Sequence, residues 1–422
     1  MLDIQFIKKN LEETIFRLKK KKEDIEPLIN KVLNLDEKRI SFQKKSNSIQ
    51  EKINENSKKI GELFKSNNLD EVENFKIYGA KLKEELKIIS EKEKKVKQEL
   101  NFYCINIPNI PNSSVPNGKS EKDNLIEKTE NKSFLENYNY LPHWELCQKY
   151  NLIDFKKGTE ISGSGFPLYK DKGAIIQRSL INFFIDFNTK GGYEEYIPPL
   201  LVNEQSALGT GNLPDKDGQM YHVEKDNLYL IPTSEVPLTN IFRNEIINPK
   251  KLPIKITAYT PCFRREAGSY GKNVRGLNRL HQFDKVEIVQ ITHPDESYKQ
   301  LEKMINHVEK LLIELELPYR LVKLCGGDLS FSSAITYDFE VYSIAQKKWL
   351  EVSSISNFET FQAKRCNIKF KLNNEINFCH TLNGSSLALP RILAAILENN
   401  QSDKGIQLPK ALKKYTGFEV IN

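Results

Sequence analysis

The segment TPCFRREAGSYGKNVRGLNRLHQFDKVEIV, residues 260–289, decides the fold of this chain. It begins as a β-like run, passes through a loop dense in Gly, Ser, Asn and Arg, and returns as a second β-like run from Gln282 to Ile291. This pattern predicts a β-hairpin with an unusually long basic loop. Long loops inside a compact domain are usually functional, so the hairpin is the first candidate site.

The hairpin has the charge pattern of a nucleotide-binding site. It combines five cations with two acids and one aromatic side chain: Arg264, Arg265, Lys272, Arg275, Arg279, Glu266, Glu287 and Phe283. Arginine is suited to bidentate phosphate binding, and a neighbouring aromatic ring can stack on a base. A solvated hairpin could carry the same charges, but it rarely needs Arg-x-Glu beside Cys262, Phe263 and Ala267.

The composition is that of a globular protein large enough for two domains. The chain has 422 residues, of which 39% are hydrophobic and 28% charged, and a net charge of +7 that only hints at an anionic partner. No apolar run has the length of a signal-peptide core or a membrane span, which favours a cytoplasmic protein with no membrane contact. The six scattered cysteines predict neither a zinc site nor a disulfide scaffold.

Two heptad seams predict an antiparallel helical hairpin near the N-terminus. Apolar residues recur at alternating three- and four-residue steps from Val32 to Leu63 and again from Val72 to Tyr103. The polar run 65–68 predicts the turn between them, and an amphipathic helix is expected over residues 4–18. Lysines interleaved with glutamates cover the outer faces. They suit an ordinary solvated coiled coil, or a rod that follows a phosphate backbone.

A proline-rich stretch predicts the domain boundary. Residues 105–120 contain three prolines and no helical period, so we expect an arm over residues 1–104, this linker, and a second domain over residues 121–422. In the second domain, residues 174–187 are predicted as an apolar helix and residues 193–202 as a strand. Pro198 and Pro199 inside that strand indicate an edge or interface position.

Three further segments place polar side chains beside apolar runs. Residues 233–235 (Thr-Ser-Glu) follow an apolar strand and either cap a helix or bind a ligand. Glu351 and Ser354 lie near the end of a predicted strand, where they either face solvent or bind a ligand. Arg391 follows Pro390 at a predicted helix start, where an arginine is usually a surface residue.

Three parts of the chain resemble, in the same order along the sequence, the three motifs of the seryl-tRNA synthetases of bacterial type. These enzymes are a family of class II aminoacyl-tRNA synthetases. The hairpin resembles the second motif at FRRE (263–266), AGSYG (267–271), RGL (275–277) and HQFDKVE (281–287). The predicted helix, Gly191-Gly192 and the proline-bearing strand resemble the first motif. Residues 380–391 (HTLNGSSLALPR) resemble the third, although Ser386 stands where glycine is frequent.

The resemblance implies an α+β fold in which a class II catalytic domain, a mainly antiparallel sheet flanked by helices, follows an N-terminal antiparallel coiled-coil arm. It implies activation of L-serine with ATP and Mg²⁺ to seryl-adenylate, and transfer of the seryl group to the 3′ end of tRNA(Ser), with tRNA(Sec) left open as a second acceptor. It also implies that the arm binds the tRNA and that the proline-bearing strand makes a homodimer contact. No tightly bound organic cofactor is implied.

The resemblance also implies roles for individual residues. The catalytic residues would be Arg264, Glu266 and Arg391. ATP would be bound by Arg264, Arg265, Glu266, Phe283, Glu351, Val352, Ser353, Ser354 and Arg391. Serine would be bound by Thr233, Ser234, Glu235, Arg264, Glu287, Asn383 and Ser385. Glu351 and Ser354 would hold Mg²⁺. From the residues alone, Glu287 could instead pair with Arg275 or Arg279 for purely structural reasons.

Two rival functions remain open at this point. A ligase that charges a carrier protein with an amino acid keeps the three motifs but generally lacks a tRNA-binding arm, so the long helical hairpin argues against it. A catalytically silent RNA-binding paralogue has no chemical reason to keep its nucleotide-binding residues. Here they are all present, as Arg264, Glu266, Glu351 and Arg391.

Overall fold

The computed structural model of the chain describes residues 2–66, 68–135, 138–215, 218–266 and 275–422. The chain divides into two compact units, Met1–Pro108 and Asn109–Asn422. Three parts of the predicted features lie outside the described residues: the AGSYG segment (267–271), Lys272 and, in the predicted turn, Asn67.

Helices account for the first unit. They are α1 (Ile4–Lys9), α2 (Leu11–Lys19), α3 (Glu26–Lys65) and α4 (Leu69–Ile105). The single helix predicted over residues 4–18 is wrong, because the chain breaks at Asn10, whose backbone leaves the helical region at φ −129° and ψ 45°. Asn10 still donates from its side-chain amide to the carbonyl of Phe6, so the two short helices meet with that C-terminal carbonyl satisfied.

The two long helices form the predicted antiparallel hairpin. Ile49 and Ile53 of α3 pack against Leu82 of α4 in a buried cluster. Farther along, Asn56 enters the seam and donates from its amide nitrogen to the carbonyl of Phe75 at 2.9 Å. A β-carbon on Gly79 would lie 2.8 Å from that nitrogen, so glycine makes room for the polar contact. One polar layer in an apolar seam typically specifies the register of a coiled coil.

The second unit contains nine helices within the described residues: α5 (His143–Lys149), α6 (Phe155–Ser162), α7 (Asp171–Lys190), α8 (Glu204–Thr210), α9 (Glu235–Asn240), α10 (Ser297–Glu314), α11 (Thr360–Cys366), α12 (Leu389–Asn399) and α13 (Lys413–Thr416). In the two longest, α7 and α10, apolar residues recur at helical spacing and form a stripe along one side of the helix. Each buries its apolar stripe, for example through Leu180 and Phe184 of α7. Among the described helices, none is long and apolar enough to cross a membrane.

The strands of the second unit are β1 (Leu125–Glu130), β2 (Ile153–Asp154), β3 (Leu168–Tyr169), β4 (Glu194–Glu195), β5 (Leu201–Asn203), β6 (His222–Val223), β7 (Leu228–Leu230), β8 (Ile246–Ile247), β9 (Ile254–Phe263), β10 (Gln282–Thr292), β11 (Tyr319–Lys323), β12 (Ile335–Ser343), β13 (Lys348–Glu359), β14 (Lys369–Leu372), β15 (Glu375–Phe378), β16 (His380–Ala388), β17 (Gln401–Ser402), β18 (Gly405–Gln407) and β19 (Val420–Ile421). Eight of them form the main sheet in the order β1-β11-β12-β13-β16-β10-β9-β4. Every neighbouring pair is antiparallel except β4 with β9. The expected α+β fold with a largely antiparallel sheet is confirmed.

The main sheet supports the unit's largest core. Helices α7, α10 and α12 contact its strands, and Leu311 of α10 and Leu393 of α12 are fully buried in the same cluster as Ile288 of β10 and Ile355 of β13. The predicted hairpin of residues 260–289 is confirmed as the antiparallel pair β9 and β10, which lies between β16 and the edge strand β4. It therefore has a packed helix layer behind it and holds its side chains on a rigid scaffold.

The strand predicted over residues 193–202 is wrong as a single element. It is divided into β4, the parallel edge strand of the main sheet, and β5, which belongs to a separate three-stranded sheet. Pro198 and Pro199 lie between them and have no N–H to donate to a ladder. The side chain of Ile197, just before the prolines, is 91% exposed.

Candidate active site

A cavity of about 590 Å³ opens over one face of the main sheet, above the β9–β10 hairpin. Phe283, Lys285 and Glu287 alternate along β10, so they point to the same face, and all three line the cavity. In register, Glu287 faces Ser385 of β16, which lines the cavity too. The sheet thus delivers side chains from distant parts of the sequence to one space.

Most of the residues singled out in the sequence line this cavity. They are Thr233, Glu235, Arg264, Glu266, Phe283, Glu287, Glu351, Val352, Ser353, Ser354, Asn383, Ser385 and Arg391. Two do not. The guanidinium of Arg265 lies 5.9 Å from the ring centre of Tyr221, and the side chain of Ser234 is buried with its hydroxyl unpaired.

Glu287 lies at the centre of a buried polar cluster. Its Oε2 is 2.7 Å from Nζ of Lys285, and the hydroxyls of Thr233 and Ser385 donate to the same oxygen at 3.3 and 3.4 Å. The alternative interpretation, a structural pairing of Glu287 with Arg275 or Arg279, does not hold, because both arginines contact other side chains. Arg275 stacks on Trp144, and Arg279 pairs with Glu266. The lysine two residues away on the same strand reaches Glu287 because both side chains point into the cavity.

A second carboxylate, Glu235, lies at the same end of the cavity and forms no ion pair with any cation of the described residues. Gln362 donates to its Oε1 at 2.6 Å, and the amide oxygen of Gln362 accepts from Thr381. Burial, reinforced by the charge of Glu287, raises the pKa of Glu235 to about 7. This end of the cavity therefore favours a cationic group that restores the charge of Glu235.

Arginines mark the other functional part of the cavity. The guanidinium of Arg264 lies 5.2 Å from the ring centre of Phe283, and its Nε donates to the carbonyl of Pro232 at 3.3 Å. Arg391 lies in the first turn of α12 and donates from Nη1 to the backbone carbonyl of Glu351 at 2.7 Å. Both guanidinium groups reach the cavity with donors suited to phosphate oxygens.

Glu266 follows the end of β9 in a left-handed conformation, with φ +47°. Its carboxylate pairs with Arg279 at 3.2 Å, and its backbone N–H donates to the side-chain oxygen of Gln219 at 3.1 Å. A non-glycine residue at positive φ costs energy unless its surroundings hold it. The two contacts hold the carboxylate at the cavity rim, where it can accept a hydrogen bond from the amino group of a ligand.

A β-bulge brings the two predicted magnesium ligands to the same face of β13. Asp338 faces Ser354, but Glu340 faces Glu351, so Val352 is an extra residue in the ladder. Three residues apart, Glu351 and Ser354 would lie on opposite faces of a regular strand, and the bulge corrects this. Sequence spacing alone does not reveal such a bulge.

The donor set around the bulge suits a hard cation. Asp338, on the neighbouring strand, keeps one buried carboxylate oxygen without a partner, and its burial beside Glu351 raises its pKa well above the usual range. Mg²⁺ uses few protein oxygens and completes its shell with water and phosphate. No group of three His, Cys, Asp or Glu side chains with metal-binding geometry occurs in the described part of the chain. Glu351 and Ser354 therefore fit a magnesium ion that takes part of its coordination shell from water and phosphate.

Three polar residues near this cavity escaped the sequence analysis. Lys285 looks like a solvated strand lysine until its neighbour Glu287 is known to face inward. Gln362 reaches Glu235 across 127 residues of sequence, and Asn278 accepts a hydrogen bond from Arg391 through its backbone. The period-2 pattern of β10 could have identified Lys285, whereas the other two contacts depend on tertiary structure.

Comparison with family models covers both units. Residues 1–111 match the seryl-tRNA synthetase N-terminal domain, and residues 221–400 match the tRNA synthetase class II core domain (G, H, P, S and T). The first match contains the helical hairpin, and the second contains the β9–β10 hairpin and the cavity residues from Thr233 to Arg391.

Individual relatives match over the full length. A serine–tRNA ligase of Salinibacter ruber is 45% identical over 100% of this chain and 99% of the relative, and one of Finegoldia magna is 43% identical over 100% of both. The crystal structure of seryl-tRNA synthetase from Pyrococcus horikoshii complexed with ATP superposes with a TM-score of 0.94 at 33% identity. It covers 100% of this chain and 99% of that one.

Proposed function

This chain belongs to the seryl-tRNA synthetase family, and on that premise we propose how its residues ligate serine to tRNA with ATP. The reaction has two steps: serine and ATP give seryl-adenylate and pyrophosphate, and the seryl group then passes to the 3′ end of the tRNA. The observation that carries this proposal is the buried Glu287 cluster, with Thr233, Ser385 and Lys285 around one carboxylate oxygen. Such a cluster can recognise a small hydroxyl-bearing substrate.

The serine pocket is assigned to the acidic end of the cavity. Lys285 already compensates the charge of Glu287, whereas Glu235 pairs with no cation within the described part of the chain. The serine ammonium would therefore pair with Glu235 and the serine hydroxyl with Glu287, assisted by Thr233 and Ser385. A pocket that hydrogen-bonds a substrate hydroxyl can reject the analogue lacking it by about 10⁴-fold, which would exclude alanine without an editing domain.

The nucleotide is assigned to the arginine-lined part of the same cavity. Arg264 would hold the α-phosphate and the serine carboxylate, Arg391 the γ-phosphate, Phe283 the adenine face and Glu266 the adenine amino group. The serine carboxylate attacks the α-phosphorus in line, and pyrophosphate leaves. No protein nucleophile takes part, so the chain contributes positioning and neutralisation of charge.

Magnesium would enter with ATP and be held by Glu351 and Ser354. When bound, it would neutralise phosphate charge and favour departure of pyrophosphate. The bulge at Val352 supports this assignment because it turns both side chains to the cavity face. Ser353 lines the same part of the cavity, and its hydroxyl donates to the backbone carbonyl of Ser385 at 2.5 Å, which ties the nucleotide strand to the serine strand.

The tRNA and a second copy of the chain are the proposed macromolecular partners. The lysine-bearing surface of α3 and α4 would follow the long variable arm of a serine tRNA, an interaction driven by phosphate charge rather than by base recognition. Exposed Ile197, Leu200 and Leu201, close to the proline break, support a homodimer through this apolar segment. Translation places such an enzyme in the cytoplasm.

Serine-dependent exchange of pyrophosphate into ATP tests the proposal. The purified protein is assayed with serine, alanine, threonine and cysteine, and Glu287→Gln, which keeps the shape of the side chain, serves as the variant with an altered pocket. We expect exchange with serine alone and a loss of at least about a hundredfold in Glu287→Gln. Absence of exchange would favour a silent paralogue, and exchange with alanine instead would favour a carrier-protein ligase.

A further inference from the structure

A buried histidine outside the cavity holds the backbone that returns from the basic loop. His143 is the first residue of α5, and none of its side chain is exposed. Its Nε2 accepts a hydrogen bond from the backbone N–H of Leu277 at 2.8 Å. Leu277 lines the cavity, whereas His143 does not. The histidine therefore acts on the cavity wall from behind.

The hydrogen bonds leave one tautomer for this histidine. Because the N–H of Leu277 can only donate, Nε2 carries no proton, and Nδ1 donates to Oε1 of Glu398 at 2.6 Å. The opposite tautomer would place two N–H groups face to face and turn a lone pair toward a carboxylate. His143 is thus a neutral bridge between a carboxylate and a backbone amide.

Glu398 is a fixed anchor for this bridge. It is fully buried, and its carboxylate also accepts from the backbone N–H of His143 at 2.9 Å, from Gln346 at 2.9 Å and from the hydroxyl of Ser343. A buried carboxylate needs this number of donors to remain charged. Rotation of the imidazole ring would break its hydrogen bonds to Glu398 and to Leu277 together, so the ring is held in one orientation.

The bridge leads directly to Arg391. The residue after Leu277 is Asn278, whose backbone carbonyl accepts from Nε of Arg391 at 3.3 Å and whose side chain donates to Gln346 at 2.9 Å. Arg391 and Glu398 lie seven residues, or about two turns, apart on α12. Helix α12 therefore contacts the returning backbone at two points. Arg391 binds it directly, and Glu398 binds it through His143.

Gly276 permits this close approach. Its φ is +70°, and a β-carbon at this position would lie 2.2 Å from Nε2 of His143. Neither the conformation nor the space suits another residue. The glycine of the RGL segment therefore lets the backbone rest directly on the imidazole ring, where the next N–H can reach it.

We propose that His143 is a positioning residue for ATP: it fixes Leu277 and Asn278 so that the carbonyl of Asn278 orients the guanidinium of Arg391. This inference rests on the proposed role of Arg391 in binding the triphosphate. It adds a residue outside the three motifs to the nucleotide site. His143 should affect the binding of ATP and leave the binding of serine unchanged, because neither Glu235 nor Glu287 contacts this network in the described structure.

Two substitutions of His143 separate its two hydrogen bonds. In His143→Asn the side-chain amide can still donate to Glu398 but no longer reaches Leu277. In His143→Gln the amide oxygen takes the place of Nε2 and can still accept from Leu277. We expect His143→Asn to raise the KM for ATP about tenfold in pyrophosphate exchange, with the KM for serine unchanged, and His143→Gln to stay within about threefold of wild type.

The outcomes distinguish this inference from the proposed function. If the wild type lacks serine-dependent exchange, the proposed function fails. If the wild type exchanges normally and His143→Asn keeps the wild-type KM for ATP, or raises both KM values equally, the positioning role is wrong. Should His143→Asn fail to fold, Gln346→Ala carries the test: a rise of about threefold in the KM for ATP alone supports the network, and no rise overturns it.

Discussion

At the scale of single residues, the ionisation of Glu235 makes the charge of the serine pocket depend on pH. Burial and the neighbouring Glu287 raise its pKa to about 7, so near neutral pH it exists partly as the neutral acid. If it pairs with the serine ammonium, serine binds the ionised form. Protonation below pH 7 then competes with serine.

We therefore predict that the KM for serine rises about tenfold between about pH 8 and pH 6, while the KM for ATP changes little. Pyrophosphate exchange measured across this range provides both values. In Glu235→Gln the KM for serine should be high and independent of pH. A flat KM for serine in the wild type would show that Glu235 does not hold the ammonium.

The same group also affects stability in the absence of substrate. Its ordinary pKa is 4.5 and its folded-state pKa is about 7, so between these values the folded chain keeps a proton that the unfolded chain releases. The wild type should accordingly lose stability as pH rises through this window. Between pH 4.5 and 7, we predict that the free energy of unfolding of Glu235→Gln falls by less than that of the wild type, with a difference of up to about 3 kcal/mol. Urea unfolding measures both values. Equal losses in both proteins would contradict the raised pKa.

The residues of the site differ in how far the sequence could predict them. Arg264, Glu287 and Arg391 lie in motifs whose order along the chain is recognisable, and the cavity contains all three. Lys285 was overlooked, although the period-2 pattern of β10 places it on the same face as Glu287. His143 contacts Leu277 across 134 residues, and no local pattern indicates such a contact.

At the scale of secondary-structure elements, the bulge of β13 gives a test of the magnesium assignment. It turns Glu351 to the cavity face together with Ser354. We predict that Glu351→Gln raises the Mg²⁺ concentration needed for half-maximal exchange about tenfold and leaves the KM for serine unchanged. Glu340→Gln, on the facing strand, is the matched control. An unaltered Mg²⁺ requirement in Glu351→Gln would remove this residue from the metal site.

The helical hairpin offers a matched pair of glycines. Gly61 of α3 has no heavy atom within 4 Å of its absent β-carbon, whereas the β-carbon of Gly79 would displace the amide of Asn56. Alanine favours a helix over glycine by about 1 kcal/mol. We predict that Gly61→Ala stabilises the hairpin by about this amount. Gly79→Ala should destabilise it, because Asn56 loses its bond to Phe75. Hydrogen exchange of the hairpin amides measures both, and equal stabilisation would show that the polar layer is dispensable.

Local patterns predicted the elements best where one periodicity continues without interruption. The heptads of α3 and α4 and the alternation of β9 and β10 extend over many residues. The wrong predictions fell at interruptions: Asn10 divides an amphipathic helix, and the prolines at 198 and 199 divide a strand between two sheets. In each case a local backbone requirement outweighs the hydrophobic pattern around it.

At the scale of the whole molecule, we propose that the two steps of the reaction depend on different parts of the chain. In the proposed mechanism, serine activation requires only the cavity of the second unit. Transfer to tRNA additionally requires the lysine-bearing hairpin of the first unit, if its phosphate contacts hold the tRNA. A shortened hairpin should therefore separate the two steps.

The most direct measurement compares serine activation with the charging of a serine tRNA in the full chain and in a shortened variant. The variant replaces residues 46–89 with a short glycine-rich turn and keeps the base of the hairpin, including the ion pair of Lys31 with Glu99 at 3.0 Å. We predict pyrophosphate exchange at the wild-type rate and charging reduced at least about a hundredfold, with the wild-type charging rate falling steeply as salt increases. Charging that is unaffected by the shortened hairpin, or a wild type that activates serine but does not charge the tRNA, would contradict the account.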